Sequence, residues 1–379
     1  MEHTFWIWYP GDFELYHAMK QNFSRVERGF GWPAFWKSEG FRNRVAFRRT
    51  YELEQEISFT VFSNAIGHVL VTWENGEKKY PFGKKITAGP GKVKVSIHAG
   101  CVEAFPCAYV QGEVIHSDKT WMAEDYSQPL VPVGVCKYFT KPEQKPTVWE
   151  YTEKECKPVK ISEVNGGVLA EFETELTAAV SVKDKRKTAL EKEKRKVVKN
   201  IENGYEGNAE EISDAGNCRK ESDSGDSCDV LEVFCGESED EALDLEHCYY
   251  SWQPDPVTNR CPCCAVRFAF IPNCKAEDVE ITAFYQYVDF PKRASFKCND
   301  EKLNKIWEVA EHTFRLCSGI FFLDGVKRDK WIWSGDAYQS FFVNQYLLAD
   351  PDIDQRTLLA LRGNNPMTRH INTIMDYSL

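Results

Sequence analysis

The chain has 379 residues, a formal net charge of −11 and an aromatic content of 13%. This length exceeds one typical domain and predicts two or three. The acidic balance, and the lack of a basic stripe interleaved with aromatic residues, argue against a nucleic-acid partner.

Targeting and redox features favour a cytoplasmic protein without a membrane partner. The first ten residues lack the basic region and long apolar run of a signal peptide. No apolar stretch approaches the roughly 20 residues that cross a bilayer. The 14 cysteines are widely scattered. Reduced thiols are therefore favoured over a disulfide framework.

Short apolar runs broken by turn residues dominate residues 5–149. Ile57–Phe62, His68–Trp73 and Lys92–Ile97 have strand-like patterns, and the Glu74–Glu77 break predicts a hairpin. Closely spaced strands without long helical periods are typical of a β-sandwich. We expect residues 1–158 to form a jelly-roll-like accessory domain.

A second β-sandwich is predicted over residues 159–292. Strand patterns occur at Gly167–Phe172, Ala265–Ile271 and Asp278–Tyr285. Between them, residues 183–246 begin basic and become acidic, with few residues able to build a core. We expect this insertion to be largely disordered because little apolar burial offsets its chain entropy.

Cysteines cluster around the second of these patterns and leave two interpretations open. His247, Cys248, Cys261, Cys263, Cys264 and Cys274 could hold zinc, although their spacing matches no usual finger pattern. Buried free thiols beside a strand are the favoured alternative. We therefore assign no metal site and expect no cofactor.

Beyond Asp300 the apolar period changes from 2 to 3.6, which predicts helices over residues 293–379. Asp300 is a good N-cap, Asp336 is expected to cap a second helix, and a third covers about 352–362. A fourth begins near Met367. Successive helices with short connections form αα-hairpins. We expect this helical domain to be incomplete.

Between the first two helices, the stretch Asp324–Ala337 combines three carboxylates with two tryptophans. Carboxylates can accept hydrogen bonds from sugar hydroxyls or carry protons, and the face of a tryptophan ring can pack against the apolar side of a pyranose. An ordinary solvated loop with core tryptophans is the alternative on composition alone.

The same stretch resembles the signature of bacterial α-L-rhamnosidases of the six-hairpin glycosidase group, Asp-Cys-Pro-x-Arg-Glu-Arg-x-Gly-Trp-x-Gly-Asp-Ala. This chain reads Asp-Gly-Val-Lys-Arg-Asp-Lys-Trp-Ile-Trp-Ser-Gly-Asp-Ala from Asp324, without a gap. Segments 5–14 and 114–121 are also similar to parts of these proteins. The resemblance implies two β-sandwich domains followed by the first αα-hairpins of an incomplete (α/α)6 toroid.

By resemblance, Asp329 aligns with the glutamate that acts as general acid. Asp324 and Asp336 align with carboxylates that hold rhamnose hydroxyls. Arg328 would orient the site, and Trp333 would form a wall against the sugar. The expected partner is a carbohydrate with a terminal α-L-rhamnosyl group. Inverting enzymes of this kind also need a water-activating carboxylate.

Several departures from the signature bear on activity. Aspartate at position 329 shortens the acid by one methylene, and Lys330 loses the planar fork of an arginine. The family's water-activating glutamate is expected beyond Leu379, so this chain alone is expected to have little turnover. A truncated gene, or a remainder supplied in trans, would account for this.

Two other functions remain open from the sequence. The chain could be a non-catalytic carbohydrate-binding or structural protein, with sandwiches that bind glycans. It could also be a metal-dependent regulator built on residues 247–274.

Overall fold

The structure, a computed structural model, describes residues 4–23, 41–127, 129–186, 231–327 and 330–362. Its described residues form two compact units. Unit 1 comprises residues 1–151 and 288–379, and unit 2 comprises residues 152–287. The predicted division at residues 158 and 292 into three domains stays a prediction.

In unit 1 the strands are β1 (Ile7–Trp8), β2 (Arg44–Leu53), β3 (Ile57–Ser63), β4 (Ile66–Trp73), β5 (Gly76–Tyr80), β6 (Lys85–Ala88), β7 (Gly91–Gly100), β8 (Cys107–Gly112), β9 (Met122–Glu124) and β10 (Val131–Pro132). They form a four-stranded sheet in the order β1-β8-β3-β6 and a six-stranded sheet in the order β10-β9-β2-β7-β4-β5. All pairings are antiparallel. The predicted runs at 57–62, 68–73 and 92–97 are confirmed.

Alternating apolar side chains of both sheets meet in one core. Phe59 and Val110 come from the four-stranded sheet, and Phe47 and Val95 come from the six-stranded sheet. All four are at most 2% exposed. This is the side-chain arrangement of a β-sandwich, in which inward-facing residues of two sheets interdigitate. The hairpin predicted at 74–77 is also confirmed, because Trp73 pairs with Gly76.

The first helix, α1 (Asp12–Phe23), lies in a region where the sequence predicts only strands. Its side chains from Asp12 to Leu15 are buried, as are His17 and Ala18. A helix covered on most of its surface has no broad polar face and so lacks the usual amphipathic pattern. This explains why the pattern of apolar residues does not reveal it.

Unit 2 contains β11 (Thr152–Cys156), β12 (Lys160–Val164), β13 (Gly167–Asp184), β14 (Val233–Gly236), β15 (Tyr250–Trp252), β16 (Cys264–Pro272), β17 (Val279–Tyr287) and the short helix α2 (Glu239–Leu243). Its strands form one seven-stranded sheet in the order β11-β17-β13-β16-β14-β15, and β12 also pairs with β13. The pairing of β13 with β16 is interrupted between Glu171 and Leu176. Antiparallel β sheets are thus confirmed in both units.

The expected disordered insertion at 183–246 differs from the structure at both ends. Strand β13 continues to Asp184, and residues after 230 form β14 and α2. The Ser238 side chain accepts a hydrogen bond from the Glu241 main-chain N–H, so the acidic run begins a capped helix. Residues 187–230 of the insertion lie outside the described residues.

Three helices follow in unit 1, α3 (Glu301–Leu316), α4 (Ser334–Leu347) and α5 (Pro351–Arg362). Asp300 caps α3 as predicted, because its side chain accepts from the N–H groups of Lys302 and Leu303. Part of the apolar stripe of α3 is exposed, with Leu303 at 48% and Ile306 at 55%, whereas Trp307 and Phe314 pack against a buried cluster. The helix expected near Met367 lies outside the described residues.

Candidate functional site

The structure places three of the five predicted site residues. Asp324 begins the candidate loop (residues 324–337), Trp333 immediately precedes α4, and Asp336 lies in the first turn of α4. Arg328 and the expected general acid Asp329 lie outside the described residues. The described flanks nevertheless define how the loop begins and ends.

The loop is closed at its base by Asp324 and Trp331. The Asp324 main-chain N–H donates to the Trp331 carbonyl at 3.0 Å. In return, the Trp331 N–H donates to the Asp324 carboxylate oxygen Oδ1 at 3.0 Å. A hydrogen bond to a charged group contributes about 1.5–3 kcal/mol. This reciprocal pair fixes both ends of the segment that contains Arg328 and Asp329.

Buried apolar side chains anchor the second half of the loop. Trp331 is fully buried and packs with Leu15 of α1, and Trp333 lies against the same cluster. Ile332 and Ala337, at 2% and 1% exposed, pack in another cluster with residues of α1 and α5. The alternative interpretation of core tryptophans is therefore correct for Trp331, while Trp333 is only half-buried.

The start of α4 corrects the expected cap. Trp333, with φ −88° and ψ 136°, is the N-cap residue, and its carbonyl accepts from the Ala337 N–H at 2.9 Å. Asp336 is instead the third residue of the helix and is exposed. A carboxylate in the first turn interacts favourably with the helix dipole. Asp336 thus stays accessible to a ligand.

Helix α1 supports the loop in a way that sequence reasoning missed. The Gln21 side-chain amide donates to the Lys330 carbonyl at 3.1 Å. Lys330 has φ 46°, a left-handed conformation that is uncommon outside glycine and asparagine. The resemblance at residues 5–14 pointed to this part of the chain but did not predict a helix or a contact.

The described part of the loop contains two carboxylates and a half-buried tryptophan. Asp324 and Asp336 place carboxylates at the two ends of an anchored loop, and Trp333 lies between them in sequence. Among the described residues, no three His, Cys, Asp or Glu side chains are arranged to hold a metal ion. The described cysteines are free thiols, among them buried Cys261, Cys264 and Cys274.

Comparisons with known proteins return α-L-rhamnosidase structures. One from Dictyoglumus thermophilum is 13% identical, with a TM-score of 0.35, and the match covers 84% of this chain and 41% of that one. A rhamnosidase from Klebsiella oxytoca with rhamnose bound is 14% identical, with a TM-score of 0.36. That match covers 56% of this chain and 44% of the Klebsiella chain. The α-L-rhamnosidase from Aspergillus terreus is 10% identical, with a TM-score of 0.36, and the match covers 86% of this chain and 43% of the Aspergillus chain.

No protein-family profile and no curated protein matches the sequence. In the described part of the chain, no helix is both long enough and apolar enough to span a membrane. The chain spans less than half the length of each rhamnosidase structure named above. The rhamnosidase structures named above are similar to this chain at 10–14% identity.

Proposed function

We propose that this chain carries the sugar-binding and general-acid half of a glycoside hydrolase site that acts on terminal α-L-rhamnosyl groups. The observation that carries the proposal is the anchored candidate loop. Its sequence resembles the rhamnosidase signature position by position, and its base is closed by the reciprocal Asp324–Trp331 hydrogen bonds. A carbohydrate is accordingly the proposed partner.

Each acidic position has a distinct proposed role. Asp329 protonates the glycosidic oxygen as the aglycone leaves, and Arg328 orients the reacting groups. Asp324 and Asp336 accept hydrogen bonds from ring hydroxyls. Trp333 packs against the apolar face of the sugar, a contact that aromatic rings make well.

Anchoring of the loop matters for catalysis because an acid works only within reach of the leaving oxygen. Aspartate is one methylene shorter than the glutamate of the rhamnosidase signature, so its reach depends on the backbone position. The buried Trp331 and the Asp324 hydrogen bond hold that backbone at its two ends. A small misplacement of a catalytic group can cost about a hundredfold in rate.

The proposed reaction is an inverting hydrolysis. It requires a second carboxylate, about 6.5–9.5 Å from the acid, to activate water on the opposite face of the sugar. Helices α3, α4 and α5 are proposed to be the first hairpins of an (α/α)6 toroid. The second carboxylate would then come from further helices of that toroid, in a longer chain or in trans.

Binding of 4-nitrophenyl α-L-rhamnopyranoside to the full chain tests the proposal. Calorimetry is expected to detect binding that Asp336→Asn weakens about tenfold or more, since hydrogen bonds to charged groups contribute about 1.5–3 kcal/mol. Asp240→Asn is the matched control, because Asp240 is also exposed in the first turn of a helix.

Release of 4-nitrophenol is followed in parallel. Asp329→Asn is expected to retain binding and to abolish any release. No binding by the wild-type chain, or equal binding by the Asp336→Asn variant, would refute the sugar-site assignment. Binding without release, unchanged when further helical residues are supplied, would instead favour the non-catalytic carbohydrate-binding alternative.

A further inference from the structure

Unit 1 contains a shallow pocket on its six-stranded sheet that shares no residue with the candidate loop. Its volume is about 520 Å³. This value is within the range of small-molecule sites, roughly 300–1,000 Å³. Arg44, His68, His98, Asp125 and Tyr126 are among the residues that line it. The pocket therefore combines cationic and titratable side chains with an aromatic ring.

The pairing of β4 with β7 places two histidines side by side in this pocket. His68 lies directly opposite His98 in the antiparallel register. Their neighbours Val69 and Ile97 are buried in the core, so the alternation of side chains puts both imidazoles on the outer face of the sheet. The two rings are stacked, with centroids 5.0 Å apart and planes 19° apart. Two imidazoles thus line one wall of the pocket.

Tyr126 orients the His98 ring. Its phenol oxygen lies 2.7 Å from Nδ1 of His98, at hydrogen-bonding distance, and the two rings are stacked. Nε2 of His98 and both ring nitrogens of His68 have no hydrogen-bond partner among the described residues, and none of these atoms is buried. A protonated imidazole donates from both nitrogens. Each histidine can therefore offer an N–H group to a ligand in the pocket.

Arg44 adds a cation that differs from the other arginines near it in sequence. Three of these have carboxylate partners: Arg42 with Asp125 at 2.8 Å, Arg48 with Glu124 at 2.7 Å, and Arg49 with Asp118 at 2.7 Å. Arg44 is exposed and forms no ion pair in the described part of the chain. Asp125, which lines the pocket, is thus already neutralised by another arginine, whereas Arg44 is not neutralised.

The surroundings of His98 are also positively charged. Burial lowers the pKa of His98, and Arg48 lowers it further. His68 and Lys79 act in the same direction, whereas Glu124 raises it. An anion in the pocket would oppose these cations and favour the protonated form of the imidazole. Binding of an anion is therefore expected to be coupled to the uptake of a proton from solvent.

These groups suit an oxyanion better than a cation or a neutral molecule. A guanidinium forms short, charge-assisted hydrogen bonds with carboxylate and phosphate groups. A metal cation would face Arg44, and a neutral ligand would leave its charge unbalanced. We propose that this pocket binds a small oxyanion, the carboxylate or phosphate group of a ligand, held by Arg44, His68 and His98. This site does not depend on the proposed glycoside hydrolase function.

Long-range proton–nitrogen NMR spectra of the full chain, with labelled histidine, test this site. Sodium sulfate, a tetrahedral oxyanion that does not titrate, and sodium acetate, a carboxylate, are added at constant ionic strength. At least one is expected to shift the imidazole signals of His68 and His98, and the tighter probe shows which group is preferred. His247 and His312 lie outside the pocket and should not respond. Binding should tighten as the pH falls from 8 to 6, because protonated imidazole is the stronger donor.

Three variants separate a specific site from general effects of charge. Arg44→Gln is expected to weaken binding roughly tenfold or more. Arg293→Gln removes an arginine from another exposed position of unit 1 and should bind as the wild type does. His98→Gln cannot gain a proton, so its binding, followed through His68, should be weaker and less dependent on pH.

Four results would overturn the proposal. Neither probe may shift the signals of His68 and His98, or a folded Arg44→Gln variant may bind as tightly as the wild type. Equal weakening by Arg293→Gln would show that the probes respond only to net charge. Retention by His98→Gln of both the affinity and the pH dependence of the wild type would remove this histidine from the site.

Discussion

Replacing the buried Glu14 by glutamine should change how the stability of unit 1 depends on pH. Burial raises the pKa of this carboxyl from 4.5 to about 7 in the folded protein. The folded state therefore holds a proton that the unfolded state releases between these values. The resulting stabilisation is fully present below pH 4.5 and is lost as the pH rises through 7.

The size of the effect follows from the two pKa values. Each pKa unit corresponds to about 1.4 kcal/mol, so the rise from 4.5 to about 7 corresponds to roughly 3 kcal/mol. Glutamine has the same shape and does not titrate. From pH 4.5 to pH 8 the wild type should lose about 3 kcal/mol of unfolding free energy through this titration, and Glu14→Gln should not. The difference in stability between the variant and the wild type should therefore shift by about 3 kcal/mol in favour of the variant.

His17 on the same helix titrates with the opposite sign. Burial lowers its pKa from 6.5 to about 4, so its stabilisation is lost as the pH falls below 6.5. Because His17 is present in both proteins, its contribution cancels in the difference between them. The effects of Asp12 and Arg356 on the Glu14 carboxyl are already contained in its raised pKa.

Urea unfolding at several pH values, followed by tryptophan fluorescence, measures this difference. Trp252 is the one tryptophan in unit 2, so the signal reports mainly on unit 1. A stability difference that stays constant from pH 4.5 to pH 8 would show that the carboxyl titrates normally. It would refute the inference that Glu14 is buried without a strong partner.

Three further predictions concern the candidate loop and the fold. Asp324→Ala should lower the free energy of unfolding by about 1–3 kcal/mol, because it leaves a buried main-chain N–H unsatisfied, whereas Asp324→Asn keeps the acceptor oxygen and should lower it less. Equal losses would contradict this role. Gly134→Ala should cost about 1–3 kcal/mol, since its Cβ would lie 2.4 Å from Nε1 of Trp8, and Gly76→Ala, with no atom within 4 Å, is its control. Asp300→Ala should cost about 1 kcal/mol through the lost N-cap of α3, and Asp300→Ser should restore most of it in thermal unfolding.

The sequence pattern was sufficient to predict those strands and helices that have one buried face and one exposed face. The alternation in Lys92–Ile97 predicts β7, and Asp300 predicts the start of α3. Helix α1 was missed because burial on most of its surface removes the polar face. The start of α4 was displaced to Trp333 because buried Ile332 and Ala337 fix the chain there, so Asp336 is not the cap.

The candidate loop could be predicted from its residue types and spacing, but its supports could not. The hydrogen bond from Gln21 to Lys330 joins residues more than three hundred positions apart. The burial of Glu14 likewise depends on the packing of α1 against α5, which no local pattern encodes. Only tertiary structure brings such groups together.

The most direct test of the central claim is a crystal structure of the chain soaked with 4-nitrophenyl α-L-rhamnopyranoside. The rhamnosyl ring is expected to lie against Trp333, with hydroxyls within hydrogen-bonding distance of the carboxylates of Asp324 and Asp336. The glycosidic oxygen should face Asp329. A sugar bound elsewhere, with the candidate loop empty, would contradict the proposed site.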